Sequence, residues 1–562
     1  MKRLFVTTIG VLVLLGAGLP GQCAWTGFGA DAGRTGFTAE SPTLPMSTLW
    51  KFHYPDPQNE ATAAVEQGRV YFTADRWLFC LDQDSGARLW EFSAGSFIRS
   101  SPALAGELVV FGDDTGALRA LDKSSGIPQW ERNLGGAIMV PPLLYGGKIF
   151  VGSAARQVVA LDPYTGETIW TFGTAGPVNL PLAGGGDIVF ALDGDGFIYG
   201  LSAASGRLLW RGKSASPLSA GPVVADDVLC LVSGPYLYGL TLRGSSLWKV
   251  RSDAALEHAP AAAEGSIYMT GSDGRLYRMA ARSGGIVWVY EEPDILITAS
   301  PAVAGNVVLA GGSSGAVLAV DRDSGELLWK CQGRSLTTPS NQPGSQSAFS
   351  QPVFADGSLL MLSNDGNLTC FSANSLDLTG PSIMPFGPSS RQVVSGQLPI
   401  VVQARIFDEG SGLLPDSIEV YLDGEKGTME RDPLSGNYFY ILAGEEPGQT
   451  VPDGAHTVTL IASDYRGNTS TVTWKFTTDA SIAVAERLIP EGLAKQFQAG
   501  RAGTSRTAGQ AGRGGRGAGA SRGGRGGRTG GMSRGGRGGA TGGRGRGFGG
   551  GGRGGGVRGR GR

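Results

Sequence analysis

Four polar side chains lie where a ligand would meet the chain, each two or three residues before a proline that recurs along the sequence. They are Arg99, Asn179, Glu257 and His258, whereas the other residues at this offset are mostly Ser, Thr, Val, Ala, Met and Phe. A guanidinium, an amide, a carboxylate and an imidazole offer charge and hydrogen bonds, so these four are the candidate ligand-binding residues. No catalytic residues are predicted, because the chain's three histidines are scattered over different elements and indicate neither a triad nor a metal cluster.

Tryptophan recurs at a near-constant interval and defines the elements that position these side chains. The steps are 40, 40, 40, 40, 38, 40 and 41 residues between Trp50, Trp90, Trp130, Trp170, Trp210, Trp248, Trp288 and Trp329. Such a period indicates tandem copies of one supersecondary unit. About 40 residues hold four short strands, and four-stranded units repeated around an axis make a β-propeller. The loops that enter the innermost strands would then bring the four polar side chains to the mouth of one channel.

The number of copies follows from the second strand of the unit. Apolar runs that begin this strand occur eight times, near Val70, Val109, Ile149, Ile188, Val228, Ile267, Val307 and Leu359. The eighth copy is followed by no tryptophan of its own, whereas Trp50 precedes the first copy. The sequence therefore predicts eight blades, with residues 48–53 as the outer strand of the last blade. That closure pairs two edges that would otherwise be exposed.

Two stretches carry a family resemblance. Residues 158–170 (VVALDPYTGETIW) and 25–36 (WTGFGADAGRTG) resemble the PQQ-binding-like propeller repeat, a family that includes quinoprotein dehydrogenases and the outer-membrane assembly factor BamB. The resemblance covers residues 25–379 and implies the fold. It leaves two functions open: a non-enzymatic scaffold, with no cofactor expected, or a periplasmic PQQ-dependent dehydrogenase that binds PQQ and calcium.

For the dehydrogenase, the resemblance implies a Glu and an Asn on calcium, an Asp base and an Arg near the quinone. Glu257, Asn179 and Arg99 have suitable types, but they belong to blades two apart, and no Asp is found at the channel mouth. The adjacent cysteine pair of the alcohol-oxidising members is also missing from the sequence. The pattern therefore favours the non-enzymatic function.

The N-terminal residues 1–24 read as a secretory signal peptide. Lys2 and Arg3 precede an apolar stretch from Leu4 to Leu19, and small residues follow. The stretch is too short for a membrane span, so no transmembrane span is expected in the mature chain; the alternative is a signal anchor that is left uncleaved. The protein is therefore expected in the periplasm, on the cell surface or outside the cell.

Two cysteines occupy a position that alanine fills in other blades. Cys80 and Cys370 are either small buried apolar residues or a disulfide between blades 1 and 8. The sequence leaves both possibilities open.

Residues 380–479 predict a separate Ig-like β-sandwich. Strand-like runs occur at Leu398–Ile406, Ser417–Leu422, Tyr438–Leu442, His456–Ser463 and Thr471–Thr477, with turns between them. The segments IFDEGSG, DGAHTV and DYRGN resemble bacterial Ig-like domains of surface proteins. Asp408, Glu409 and Asp416 either hold a calcium ion or simply form turns.

Residues 480–562 predict a linker and a disordered tail. A short helix is expected at Ala483–Phe497, and beyond it fifteen arginines accompany abundant glycine without any acidic residue. Without these arginines the net charge falls from −1 to −16, so a basic arm extends from an acidic body. The expected partner is an envelope protein or an anionic envelope polymer; the alternative for the tail is a solvated spacer with no partner. Nucleic acid is not expected, because the chain carries an export signal and Phe548 is the only aromatic residue after Phe497.

The sequence thus predicts an all-β fold: an eight-bladed β-propeller (25–379), an Ig-like β-sandwich (380–479) and a disordered Gly/Arg-rich tail. The predicted function is that of a secreted or cell-envelope binding and assembly scaffold.

Overall fold

The computed structural model describes residues 24–54, 61–292, 295–332, 350–363, 366–432, 436–443 and 449–482, which all belong to one compact unit. These residues form an all-β propeller joined to a second β-domain. The predicted signal peptide, the helix at Ala483–Phe497 and the arginine-rich tail lie outside the described residues.

The propeller consists of antiparallel sheets that follow one another along the chain. Blades 1 to 4 contain the strands Ala64–Glu66, Arg69–Ala74, Trp77–Asp82, Arg88–Ser93; Ala103–Ala105, Leu108–Gly112, Ala117–Asp122, Pro128–Asn133; Leu143–Tyr145, Lys148–Ser153, Gln157–Leu161, Thr168–Gly173; Ala183–Gly185, Ile188–Leu192, Phe197–Ser202, Leu208–Lys213. Blades 5 to 8 contain Val223–Ala225, Val228–Ser233, Tyr236–Thr241, Ser246–Arg251; Ala261–Ala263, Ser266–Thr270, Leu276–Ala280, Ile286–Tyr290; Ala302–Ala304, Val307–Gly312, Ala316–Asp321, Leu327–Gln332; Val353–Ala355, Ser358–Ser363, Asn367–Ser372.

The eighth sheet is completed by the N-terminal strand Ser47–His53. This strand pairs antiparallel with Asn367–Ser372, with Trp50 opposite Cys370. The innermost strand of blade 8 also lies against that of blade 1. The described sheets therefore form a closed ring in which an N-terminal strand and three C-terminal strands share one blade.

The periodic tryptophans join neighbouring blades. In seven of them the indole N–H donates to a carbonyl in a turn of the next blade, over 2.8 to 3.2 Å; the pairs are Trp50–Gln83, Trp90–Lys123, Trp130–Pro163, Trp170–Ala203, Trp210–Leu242, Trp248–Ala281 and Trp288–Arg322. A glycine of positive φ in the same turn lies under each ring, and a Cβ there would approach the indole to between 2.5 and 2.9 Å. The 40-residue period therefore repeats one contact between blades.

The second domain packs two sheets around one apolar core. The first sheet contains, in spatial order, Ser382–Gly387, Ile400–Phe407, Tyr438–Leu442 and Glu430–Arg431. The second contains Val393–Ser395, Thr469–Asp479, Gly454–Ser463, Glu419–Leu422 and Glu425–Gly427. The five predicted strands are present, and the core includes Val402, Val458 and Trp474. The assignment of this domain to the Ig-like fold remains a prediction.

Three smaller elements complete the described chain: the strand Phe37–Thr38, which pairs parallel with blade 7, and the 3₁₀ turns Ser313–Gly315 and Pro415–Ser417. No helix among the described residues is long and apolar enough to cross a membrane.

The cysteines of the described residues are buried and unpaired. Cys80 and Cys370 are free thiols in separate core clusters, and burial raises the pKa of each to about 12. The structure therefore agrees with the buried-residue alternative and not with the disulfide.

Candidate functional site

The loops that connect one blade to the next converge at one mouth of the propeller. In the described part of the chain, buried or partly buried aliphatic residues fix these loops; two examples are Ile138 and Val178, which pack against glycines of the second strand. A Cβ on Gly112 would lie 2.2 Å from Ile138, and one on Gly152 would lie 2.3 Å from Val178. Because the aliphatic residue points inward, the residue after it is directed to the mouth.

The residues that follow these anchors form a rim with one position per blade. From blade 2 to blade 7 the rim holds Arg99, Met139, Asn179, Ser219, Glu257 and Thr298. They surround a cavity of about 460 Å³, a volume within the usual range for ligand sites. All four sequence-predicted residues, Arg99, Asn179, Glu257 and His258, line this cavity. Their role in binding stays a prediction.

The charges of the rim are separated. Arg99 enters blade 2 and Glu257 enters blade 6, so they lie four blades apart in a ring of eight sheets, on opposite sides of the mouth. Both side chains are exposed. The Nε of Arg99 donates to both carboxylate oxygens of Asp114, at 3.1 and 3.0 Å, which orients the guanidinium. The mouth therefore offers a cation on one side and an anion on the other.

Three residues that line the cavity each contain a buried polar atom without a hydrogen-bond partner among the described residues. These atoms are the hydroxyls of Thr298 and Ser350 and the amide oxygen of Gln351, all buried, at the entries to blades 7 and 8. A buried polar group without a partner costs about 1–3 kcal/mol. Because each of these atoms is closed off from solvent, a ligand would pair with it only after a movement of the cavity wall. The sequence pattern missed these three residues, because Ser, Thr and Gln are common at such positions and only their environment distinguishes them.

The N-terminal segment Trp25–Glu40 crosses the inner edges of the blades. Its backbone accepts a hydrogen bond from the innermost strand of several blades, and the donors are the N–H groups of Val65, Leu104, Gly184, Val224, Ala262 and Val303. Phe28 of this segment lines the cavity. The segment therefore occupies the channel between the inner strands, and the cavity ends against it.

Arg34 holds the segment in place. The residue is 4% exposed, and its guanidinium donates to the carbonyls of Phe28, Pro142 and Leu182. Burial lowers the pKa of Arg34 to about 10, although the nearby charge of Asp31 opposes the shift. The sequence gives no sign of this role beyond the position of Arg34 in the stretch 25–36.

The cavity does not fit the calcium and quinone set that the resemblance implies. Among the described residues that line it, Glu257 is the only carboxylate, and Asn179 enters a blade two positions away. No Asp that could act as a base lines the cavity in the described part of the chain. We therefore derive no chemical step through a quinone.

Asp423, His456 and Thr478 of the second domain are connected in the order of a catalytic triad, but the hydroxyl is not accessible to a substrate. His456 Nδ1 lies 2.6 Å from Asp423, and its Nε2 lies 2.9 Å from the hydroxyl of Thr478. Thr478 is 1% exposed, and its hydroxyl donates to the carbonyl of Pro452 at 2.7 Å. Since no substrate can reach this hydroxyl, we interpret the group as a structural network in the second domain.

Comparison with known families gives a match over most of the propeller. The family model described as outer membrane protein assembly factor BamB matches residues 47–171, 130–217 and 194–407. A curated relative, the outer membrane protein assembly factor BamB of Yersinia pestis, is 26% identical over 136 residues, which are 24% of this chain and 35% of the relative. The chain thus spans about a third of the length of that relative.

Solved structures agree on the fold. A europium-containing methanol dehydrogenase has a TM-score of 0.52 at 13% identity and covers 62% of this chain and 98% of its own. The quinohemoprotein alcohol dehydrogenase of Comamonas testosteroni has a TM-score of 0.51 at 14% identity and covers 66% and 83%. At these identities the likeness shows the propeller fold alone.

Proposed function

Because the chain belongs to the family of the outer membrane protein assembly factor BamB, we propose that it is a non-catalytic binding and assembly scaffold of the cell envelope. The observation that carries the proposal is the open cavity mouth, which is lined by accessible polar side chains such as Asn179 and Ser219. The expected partner is an envelope protein that inserts an extended segment, since a polypeptide backbone offers an N–H donor at almost every residue.

The charges of the rim support the same proposal. With Arg99 and Glu257 on opposite sides of the mouth, a segment that carries both signs of charge would be bound in one orientation. The export signal predicted for residues 1–24 agrees with a partner in the envelope. The family match supports the scaffold. The alternative is a periplasmic PQQ-dependent dehydrogenase, and the structural likeness does not distinguish the two functions because it shows the fold alone.

Site-specific photo-crosslinking tests the proposal. A photoreactive residue at the rim position Met139 should crosslink a defined envelope protein in intact cells. The matched control is Tyr164, which is 71% exposed on a turn of blade 3 away from the rim. Charge reversal by Arg99→Glu together with Glu257→Arg should lower the crosslink yield from Met139. Equal crosslinking from both positions, or no effect of the charge reversal, would contradict the proposed binding site.

An activity assay separates the two functions. Protein reconstituted with PQQ and calcium should oxidise neither alcohols nor sugars in a dye-linked assay. Turnover that disappears in Glu257→Ala would instead support the dehydrogenase.

The arginine-rich tail supports a further contact, with an anionic envelope polymer. Guanidinium groups suit phosphate and carboxylate ligands, and such binding weakens as salt is added. Full-length protein should be retained on isolated envelopes at low salt more strongly than a chain that ends at Gln498. Equal retention of both forms would leave the tail without this role.

A further inference from the structure

Three carboxylates meet where the second domain joins the propeller. Asp377 follows the last strand of blade 8, Asp408 follows the strand Ile400–Phe407, and Asp464 follows Gly454–Ser463. One oxygen of each lies within 4.8 Å of the others. Asp408 and Asp464 are only 4% and 1% exposed, so two of the three charges are shielded from water. The set differs from the three calcium ligands that the sequence suggested, of which it contains only Asp408. The carboxylate of Glu409 lies 3.8 Å from the ammonium group of Lys51, and Asp416 is exposed in a turn.

Hydrogen bonds orient these carboxylates but do not neutralise them. Asp408 accepts the N–H groups of Gly410 and Gly412 at 3.1 and 2.7 Å. Asp464 accepts the side-chain amide of Asn468 at 2.7 Å. Within the described ranges, no Lys, Arg or His side chain forms an ion pair with any of the three acids. Carboxylates held this close repel one another as anions, and a bound cation would relieve the repulsion.

A buried hydroxyl adds a fourth oxygen. Ser411 is 0% exposed, and its Oγ has no hydrogen-bond partner among the described residues. Its backbone N–H donates to Asp377 at 2.7 Å, and the same carboxylate is the group that the hydroxyl faces. The loop 408–412 therefore directs an unpartnered oxygen at the acidic cluster.

We propose that Asp377, Asp408, Asp464 and the hydroxyl of Ser411 bind a calcium ion. The donors are all oxygen, which suits a hard cation, and their origin in three separate segments suits the flexible geometry of calcium more than the strict octahedron of magnesium. Water would complete the coordination. The ion would be coordinated by the chain that leaves blade 8 and by two loops of the second domain. It would therefore hold the two domains together.

Calcium titration of the full-length protein tests the site. After treatment with a chelator and its removal, isothermal titration should show one calcium ion per chain, with at least tenfold weaker binding of magnesium. Saturating calcium should raise the Tm by about 5 °C, since a ligand that binds only the folded state stabilises it. Because Trp329 donates to the Ser411 carbonyl at 2.8 Å, terbium in place of calcium should also emit when tryptophan is excited.

Matched variants locate the ion. Asp408→Asn and Ser411→Ala should each weaken calcium binding at least tenfold, and Asp416→Asn, a change of the same kind outside the cluster, should leave it intact. Ser411→Ala keeps all three charges and serves if Asp408→Asn does not fold. Absence of calcium binding by the intact protein, or equal binding by the intact protein and both variants of the cluster, would overturn the proposal.

Discussion

Trp329 donates its indole N–H to the carbonyl of Ser411, over 2.8 Å, and so joins blade 7 to the second domain. The other seven periodic tryptophans make this bond to the following blade. The loop 408–412 therefore takes the place of a propeller turn. It also accepts a bond from the backbone N–H of Thr48 at Gly410, so the second domain contacts both neighbouring blades.

Trp329→Phe should loosen this loop while keeping the aromatic packing. The change removes one N–H···O bond and should lower the free energy of unfolding by about 1 kcal/mol. Trp90→Phe is the matched control, because Trp90 makes the same bond, to Lys123, inside the propeller. Hydrogen–deuterium exchange at residues 408–412 should accelerate in Trp329→Phe alone. The same acceleration in Trp90→Phe would show that the loop does not depend on Trp329.

Closure of the ring can be tested at Gly86. This residue has φ +68, and a Cβ there would lie 2.5 Å from Trp50 of the closing strand. Gly68 has φ +71 but open space around it. Both Gly→Ala variants incur the strain of positive φ, about 1 kcal/mol. Gly86→Ala should lose a further 1–3 kcal/mol from overpacking against Trp50. Urea denaturation of the two variants measures the difference, and equal losses would contradict the role of this contact in closure.

The propeller was predictable because its signals are local and repeated. The tryptophans, the turn glycines and the second strands each recur at nearly the same spacing. A copy whose sequence departs from the pattern can therefore still be placed by comparison with the other copies. The closing strand was predicted by the same reasoning, since no inner strands precede Trp50 and no tryptophan follows the eighth copy.

The sites were predictable only in part, because they depend on contacts between distant segments. Arg99 and Glu257 stood out by charge at a repeated position, and the structure places both on the rim. Asp377 and Asp464 are separated from Asp408 by 31 and 56 residues, so the sequence grouped Asp408 with its neighbours Glu409 and Asp416 instead. The unpaired atoms of Thr298 and Gln351 depend on burial, which a single sequence does not reveal.

Acid should destabilise blade 2 through Asp113. Its side chain is fully buried and accepts bonds from Thr115, Ala117 and Arg119. Burial alone would raise its pKa, but these hydrogen bonds together hold it below the usual 3.8. A lowered folded pKa gives stability that is present above pH 4 and is lost as the pH falls through the folded value. Asp113→Asn should therefore lower the free energy of unfolding by about 2 kcal/mol at pH 7 and by less at pH 3. Thermal melts of both proteins across this range measure the effect, and a loss that does not change with pH would contradict it.

Arg34 should be the residue on which the N-terminal segment depends. Its guanidinium donates to carbonyls of the segment itself, of the loop before blade 3 and of the loop before blade 4. Arg34→Met would leave these buried acceptors without donors and should lower the free energy of unfolding by about 3 kcal/mol. Arg34→Lys should restore little, because one ammonium group lacks the planar fork that reaches several carbonyls at once.

The exposed Arg243→Met is the matched control and should change stability by less than about 0.5 kcal/mol. Limited proteolysis gives the second readout, because release of the segment would make residues 25–40 susceptible before the blades unfold. If Arg34→Met retains both the Tm and the protease resistance of the intact protein, the backbone hydrogen bonds to the inner strands are sufficient to hold the segment. Arg34 would then not be needed to close the cavity.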